Sequence, residues 1–242
     1  MISSISSIQS ISKIIPPIPA EKLLLRYDFS YSGTTILDKS GMNRNATLYG
    51  TNYITPLTSY PNTSLQKKNT YCYSLPTSSQ AVDSGNYIKL NSSFPVSSKT
   101  FSVSFWILPL NNTSTGDSKV WEIVSEKIHL WRRAYVTPYF GILFNLNYTT
   151  NVTLSIGVWN HIVVNYDSST MRLSIYQNNT LTYENLTITT SNLFPSFTFP
   201  DLIIGRPLST LHHSFTGNIA DFRVYSTVLT TAEINDLYNG TI

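Results

Sequence analysis

From Leu23 onward the chain is a succession of short β-branched and aromatic runs, and this punctuation limits its fold more than any other feature. "KLLLRYDFS", "NYIKL", "TFSVSFWILP", "KVWEIVSEKIHLW", "YFGILFNLNYT", "NVTLSIG", "WNHIVVNYD", "MRLSIYQN", "LTYENLTITT", "PDLIIGR" and "IADFRVYS" are mostly bounded by Gly, Pro, Asn, Asp or Ser. Runs of this kind read as strands and the residues between them as turns. Alternation is plain in one of them, where Phe101, Val103, Phe105 and Ile107 take one face and Ser102, Ser104 and Trp106 the other. Many short strands at close spacing predict an all-β, two-sheet antiparallel sandwich. A propeller or solenoid would show a repeat of ~20–50 residues, and none is present. A chain of 242 residues, 41% hydrophobic, lies within the range of a single all-β domain with a sizeable core.

Composition excludes several function classes. The net charge is only +3, and no basic cluster stands out beyond Lys67–Lys68 and Arg132–Arg133. A nucleic-acid partner, which favours a concentrated basic face, is therefore not expected. The single cysteine, Cys72, allows no internal disulfide, and its setting in "TYCYSLP" reads as a buried strand position. No apolar run approaches the ~18–20 residues that span a bilayer. The opening segment lacks a basic n-region and its apolar residues are interrupted by Ser, so it does not read as a signal peptide.

That opening segment, residues 1–22, is expected to be an extended arm. Ile2, Ile5, Ile8, Ile11 and Ile14 recur every three residues. On an α-helix this step drifts around the axis, whereas on a three-per-turn polyproline helix it forms one stripe. "PPIP" at Pro16–Pro19 then makes a stiff connector. A Ser/Ile arm cannot bury its own apolar groups, so it is read as a docking strap for another protein chain. Residues 23–242 form the domain.

The chain ends in a short helix with its own start and stop signals. Thr230 and Glu233 form a capping box, Leu229 and Ile234 a hydrophobic staple, and Gly240 follows the last turn. Ile234, Leu237 and Tyr238 share a face. The expectation is a lid over an apolar edge or bottom of the sandwich.

The ending "F-x-G-x-I-x-x-F-x-V-Y", then "T-x-x-E-I-x-x-L-Y", resembles the LamG-like, concanavalin A-like lectin/glucanase superfamily, in its laminin-G/pentraxin-like jelly-roll branch. Four further blocks agree in order: "YDFSYSGTTILDKSGMNRNATLYG", "NYIKL…TFSVSFWILP", "WNHIVVNYDSSTMRLSIYQNN" and "LIIGR". They cover Leu23 to Gly240. The family's usual Asp-Gly turn is replaced by Asn178–Asn179, and Asn tolerates positive φ well enough to keep it. The resemblance implies two curved antiparallel sheets with binding on rim loops or the concave face. It does not imply one function, since members include sugar-binding modules, adhesion modules, glycanases and spacers.

Catalysis is not expected. Glycanase relatives need carboxylates on one strand face, ~5 Å apart for retaining chemistry. Glu122 and Glu126 have the i, i+4 spacing, but Val124 occupies the middle position, and both acids are expected on a solvated strand face. The resemblance makes His161 structural. His212–His213 are placed in a loop before the last strand, within reach of a ligand or metal. With ten glycines and no phosphate-cradling loop, the chain reads as a non-enzyme.

Three binding features remain. "HLWRRAYVTPYFG" places Trp131, Arg132, Arg133, Tyr135 and Tyr139 in an expected rim loop, where aromatic faces and arginine forks suit glycan or protein contacts. Asp38 with Asn43, and Asp167, are weak candidate calcium ligands and equally good turn-formers. Ten sequons, at Asn45, Asn62, Asn91, Asn111, Asn112, Asn147, Asn151, Asn178, Asn185 and Asn239, arise readily in so Asn- and Thr-rich a chain and carry no argument. The sequence supports a non-catalytic lectin-like module whose arm anchors it in a larger assembly. The alternatives are a purely structural virion-surface or minor capsid component, and a divergent glycanase.

Overall fold

The computed structural model describes residues 22–51, 53–57, 71–75, 86–95, 100–110, 118–123, 128–133, 139–144, 147–185, 198–199, 202–206 and 213–241. The arm with Ile2, Ile5, Ile8, Ile11 and Ile14 lies outside them, as do Glu126, Tyr135 and His212. In chain order the strands begin with β1 (Leu23–Tyr27), β2 (Tyr31–Ser32), β3 (Thr35–Ile36), β4 (Ala46–Tyr49), β5 (Ile54–Pro56), β6 (Tyr71–Leu75) and β7 (Tyr87–Leu90). Next come β8 (Phe94–Pro95), β9 (Phe101–Pro109), β10 (Ser118–Ile123), β11 (Ile128–Arg133), β12 (Tyr139–Phe144), β13 (Asn147–Thr153) and β14 (Asn160–Asp167). The last are β15 (Arg172–Gln177), β16 (Thr180–Asn185), β17 (Thr198–Phe199), β18 (Ile203–Ile204), β19 (His213–Ser214) and β20 (Gly217–Tyr225), before helix α1 (Thr231–Asn239).

Eight strands form one sheet, in the order β16-β15-β14-β9-β20-β6-β5, with β1 also paired to β20. Ten form a second, in the order β13-β12-β11-β10-β18-β7-β4-β3-β2, with β19 beside β10, and β8 and β17 pair with each other alone. Every described pairing is antiparallel except β10 with β19. The core lies between the sheets, where each strand sends alternate residues. Phe101, Val103, Phe105 and Ile107 of β9 enter it, as their alternation predicts. Across the layer, Trp121 of β10 meets Phe105 and Phe222 edge-on, with ring centroids 6.1 and 6.2 Å apart. Burying each such ring contributes about 2–3 kcal/mol before strain and entropy are counted.

Two runs that read as single strands are hairpins. In "KVWEIVSEKIHLW" the chain reverses after Ile123, which pairs with Ile128. In "YFGILFNLNYT" it reverses after Phe144, which pairs with Asn147. Elsewhere the turn chemistry is as expected. Asn178 and Asn179 adopt φ of 49° and 65°, the sign that a tight two-residue hairpin requires. In β20 the register shifts between Ala220 and Arg223, where Asp221 takes φ 45°. This bulge divides the strand: β6 pairs with residues before it and β1 with residues after it.

The capping box at α1 is present in both directions, and Gly240 closes the helix with φ 68°. The helix does not cover an edge or an apolar end. It lies on the outer face of the eight-stranded sheet, where Ile234 and Leu237 pack with Val163, Tyr225 and Leu229. Tyr238 stacks on Trp106 at 5.6 Å. That face is not purely apolar, because Ser102, Ser104, His161, Asn165, Asp221 and Arg223 are buried there as well.

Candidate functional site

The same-face argument for Glu122 and Glu126 requires both on one strand, but β10 ends at Ile123, which pairs with Ile128 of β11, and Glu126 lies outside the described residues. Nor is Glu122 on a solvated face: it is fully buried, between His129 of β11 and Ile203 of β18. The segment "HLWRRAYVTPYFG" is likewise not one loop. Trp131, Arg132 and Arg133 lie on β11 and Tyr139 on β12, with Arg133 opposite Tyr139 and the connection confined to 134–138. His213 is on β19, opposite Ser118, rather than in a loop.

Strand register brings β11 and β12 to the same rim as a group of aromatic side chains. Tyr49 of β4 pairs with Tyr87 of β7, and Ile88 pairs with Ile204 of β18. The amide of Gly205, one residue on, donates to the Val120 carbonyl at 2.8 Å. Lys119 of β10 pairs with Trp131 of β11. Tyr49, Tyr87, Arg206 and the Arg133–Tyr139 end of β11 and β12 thus share one end of the ten-stranded sheet. With strands ~4.8 Å apart, β4 to β11 spans about 19 Å.

At this rim three side chains form a layered stack. The Tyr49 and Tyr87 rings lie 4.5 Å apart and within 5° of parallel. The Arg206 guanidinium carbon sits 4.0 Å above the Tyr87 ring. Tyr87 is sandwiched, and Tyr49, 41% exposed, turns outward. Leu48 and Ile88 point into the core, so their neighbours Tyr49 and Tyr87 face out. Sequence reasoning missed this group. Only the β4–β7 pairing brings the two tyrosines together, and a single-sequence reading contains no signal for that pairing.

The candidate calcium ligands are built into turns. Asp38 Oδ1 accepts from the Arg26 and Ser40 amides at 3.0 and 2.9 Å. Its Oδ2 accepts from the Ser40 hydroxyl and the Arg44 amide at 2.7 and 2.9 Å. Asn43, at φ 56°, shapes the same turn. Asp167 accepts from the Ser169 amide and hydroxyl and the Thr170 hydroxyl, and these bonds, the Ser169 hydroxyl first, hold its carboxyl below the usual range. Among the described residues no group of three or more His, Cys, Asp and Glu is placed to hold a metal ion.

His161 is structural. Its Nε2 lies 2.9 Å from the Ser104 hydroxyl, and its ring packs on Trp106 at 5.0 Å. Burial pushes its pKa down to about 3, with Asp221 raising it and Arg223 lowering it by less. Beside it Arg223 makes a two-pronged bond to Asp221, at 2.8 and 2.7 Å. Cys72 is buried, and burial raises its thiol pKa. Among the described residues no helix is long and apolar enough to cross a membrane.

On the same outer face as α1 a cavity of about 360 Å³ opens between β14, β15 and the segment entering the helix. Its walls include Asp167, Arg172, Ser174, Tyr176 and Thr231. Arg172 is held through Nε and Nη2 by Glu184 of β16.

A two-sheet sandwich closed by pairing of its first and last strands, with the ending motif on β20 and α1, agrees with a match over residues 82–235. The matching laminin-G family model is described as the concanavalin A-like lectin/glucanases superfamily. The chain belongs to this superfamily. Solved structures share its fold. The receptor binding domain of a botulinum neurotoxin C/D mosaic serotype superposes with TM-score 0.65 at 18% identity, over 91% of this chain and 52% of that one. The serotype D ligand binding domain, in complex with N-acetylneuraminic acid, gives 0.63 at 18% over 91% and 51%. Domain 4 of AbnA, a GH43 extracellular arabinanase from Geobacillus stearothermophilus, in complex with arabinotriose, gives 0.62 at 17% over 90% and 98%. The chain spans about half the length of the neurotoxin domains but nearly all of the arabinanase domain. No curated protein matches the chain by sequence.

Proposed function

We propose that this superfamily member is a non-catalytic, lectin-like module that binds glycan through the Tyr49–Tyr87–Arg206 rim. The observation that carries the reading is the outward face of Tyr49, held flat by its stack on Tyr87. A ring fixed before binding loses little entropy when a sugar's apolar face settles on it. The neighbouring fold types that carry N-acetylneuraminic acid and arabinotriose support a saccharide as the ligand class. The non-catalytic part is supported by Glu122, which is fully buried on β10.

A glycan array tests the reading. The folded protein binds at least one glycan, and Tyr49→Ala weakens that binding about tenfold or more without changing the thermal midpoint. Failure to bind any glycan overturns it. The arm, with its isoleucine stripe, serves as an anchor to another chain. Deleting residues 1–20 should leave glycan binding intact and abolish association with the parent assembly, and unchanged association would remove the anchor.

A further inference from the structure

The 360 Å³ cavity beside α1 is unrelated to the rim. Asn165, Asp167, Ser174 and Tyr176 alternate with the core residues Val164, Tyr166, Leu173 and Ile175, so they face outward from the eight-stranded sheet. The tyrosine stack faces outward from the ten-stranded sheet, so the two sites look in opposite directions across the sandwich. The helix N-terminus is not the attraction, because Thr230 and Glu233 already cap it.

The cavity's walls combine an aromatic ring with polar groups that retain bonding capacity. Tyr176 and Val228 supply apolar surface. Arg172 is fixed in place by Glu184 through Nε and Nη2, which leaves Nη1 for a ligand. Ser174 is 94% buried at the base, its hydroxyl only 3.5 Å from Glu184. Asp167 adds an acceptor edge and Thr231 an exposed hydroxyl. An aromatic ring and an apolar side chain beside several donors and acceptors match the two-sided chemistry of a sugar ring, which has apolar faces and a rim of hydroxyls. The volume falls in the lower part of the ~300–1,000 Å³ usual for small-molecule sites, which suits one or two rings. Two carboxylates, Asp167 and Glu184, flank one guanidinium, so the local field opposes an anionic ligand.

We propose that this cavity is a second ligand site, taking one or two rings of a neutral saccharide. A single chain then carries two glycan sites on opposite faces and can bridge two glycans.

The test is an NMR titration of Tyr49→Ala, in which the rim is disabled, with glucose, galactose, mannose, arabinose, arabinotriose and N-acetylneuraminic acid as separate probes. At least one neutral sugar produces saturable shifts at Ser174, Tyr176 and Thr231, and the acidic sugar does not. Arg172→Ala and Thr231→Val, both at exposed positions, each weaken that binding about tenfold while the rest of the spectrum stays native. The inference is overturned if no neutral sugar shifts these residues, if the acidic sugar alone does, or if neither substitution weakens the response. Such a result leaves the rim reading standing when wild type still binds on the array.

Discussion

His161 is buried as a neutral ring because water is excluded around it and Ser104 bonds its Nε2. An unfolded histidine takes up a proton near pH 6.5, whereas this one does so only near about 3. Between those values the unfolded chain binds more protons, so acid favours unfolding. The contribution is complete above about pH 6.5 and drains away as pH falls, by up to ~1.4 kcal/mol per unit. Denaturant titrations at about pH 6.5 and 5.0 should show wild type losing more stability than His161→Gln. Parallel losses would contradict the assignment. The residue's structural role was legible from its "WNHIVV" block. The stack that makes it so inaccessible was not, because Trp106 and Tyr238 come from distant strand and helix positions.

Helix α1 is the element whose local signals were most complete. Thr230, Glu233 and Gly240 are near neighbours in sequence, so capping chemistry could be read without knowing the fold. Thr230→Ala removes one side of a box whose bonds measure 3.2 and 2.7 Å. It should cost about 1 kcal/mol, read as a lower unfolding midpoint, whereas Thr231→Ala, just inside the helix, should be nearly silent. Where the helix docks was not legible, because amphipathicity gives a face but no address. The hairpin tips show the complementary failure. "VSEK" carries no Gly or Pro, so β10 and β11 read as one strand and put Glu122 and Glu126 together. The Asn178–Asn179 turn was readable because its residues themselves tolerate positive φ.

For the whole molecule, the sandwich was legible because strand alternation and turn spacing report directly on which faces are buried. The rim was not, because it depends on pairing between strands far apart in sequence. Arg132, Arg133 and Tyr139 read as part of a loop from sequence, yet register places β11 and β12 at the same end of the sheet as Tyr49 and Tyr87. The rim proposed to bind glycan is thus drawn from separate segments of the chain, while Glu122 is buried on β10. The most direct measurement is a crystal structure of the chain with the glycan its array selects. Density for an intact sugar lying against the outward ring of Tyr49 is the expected result. A sugar cleaved beside Glu122, or bound only at a surface without Tyr49, would contradict the account.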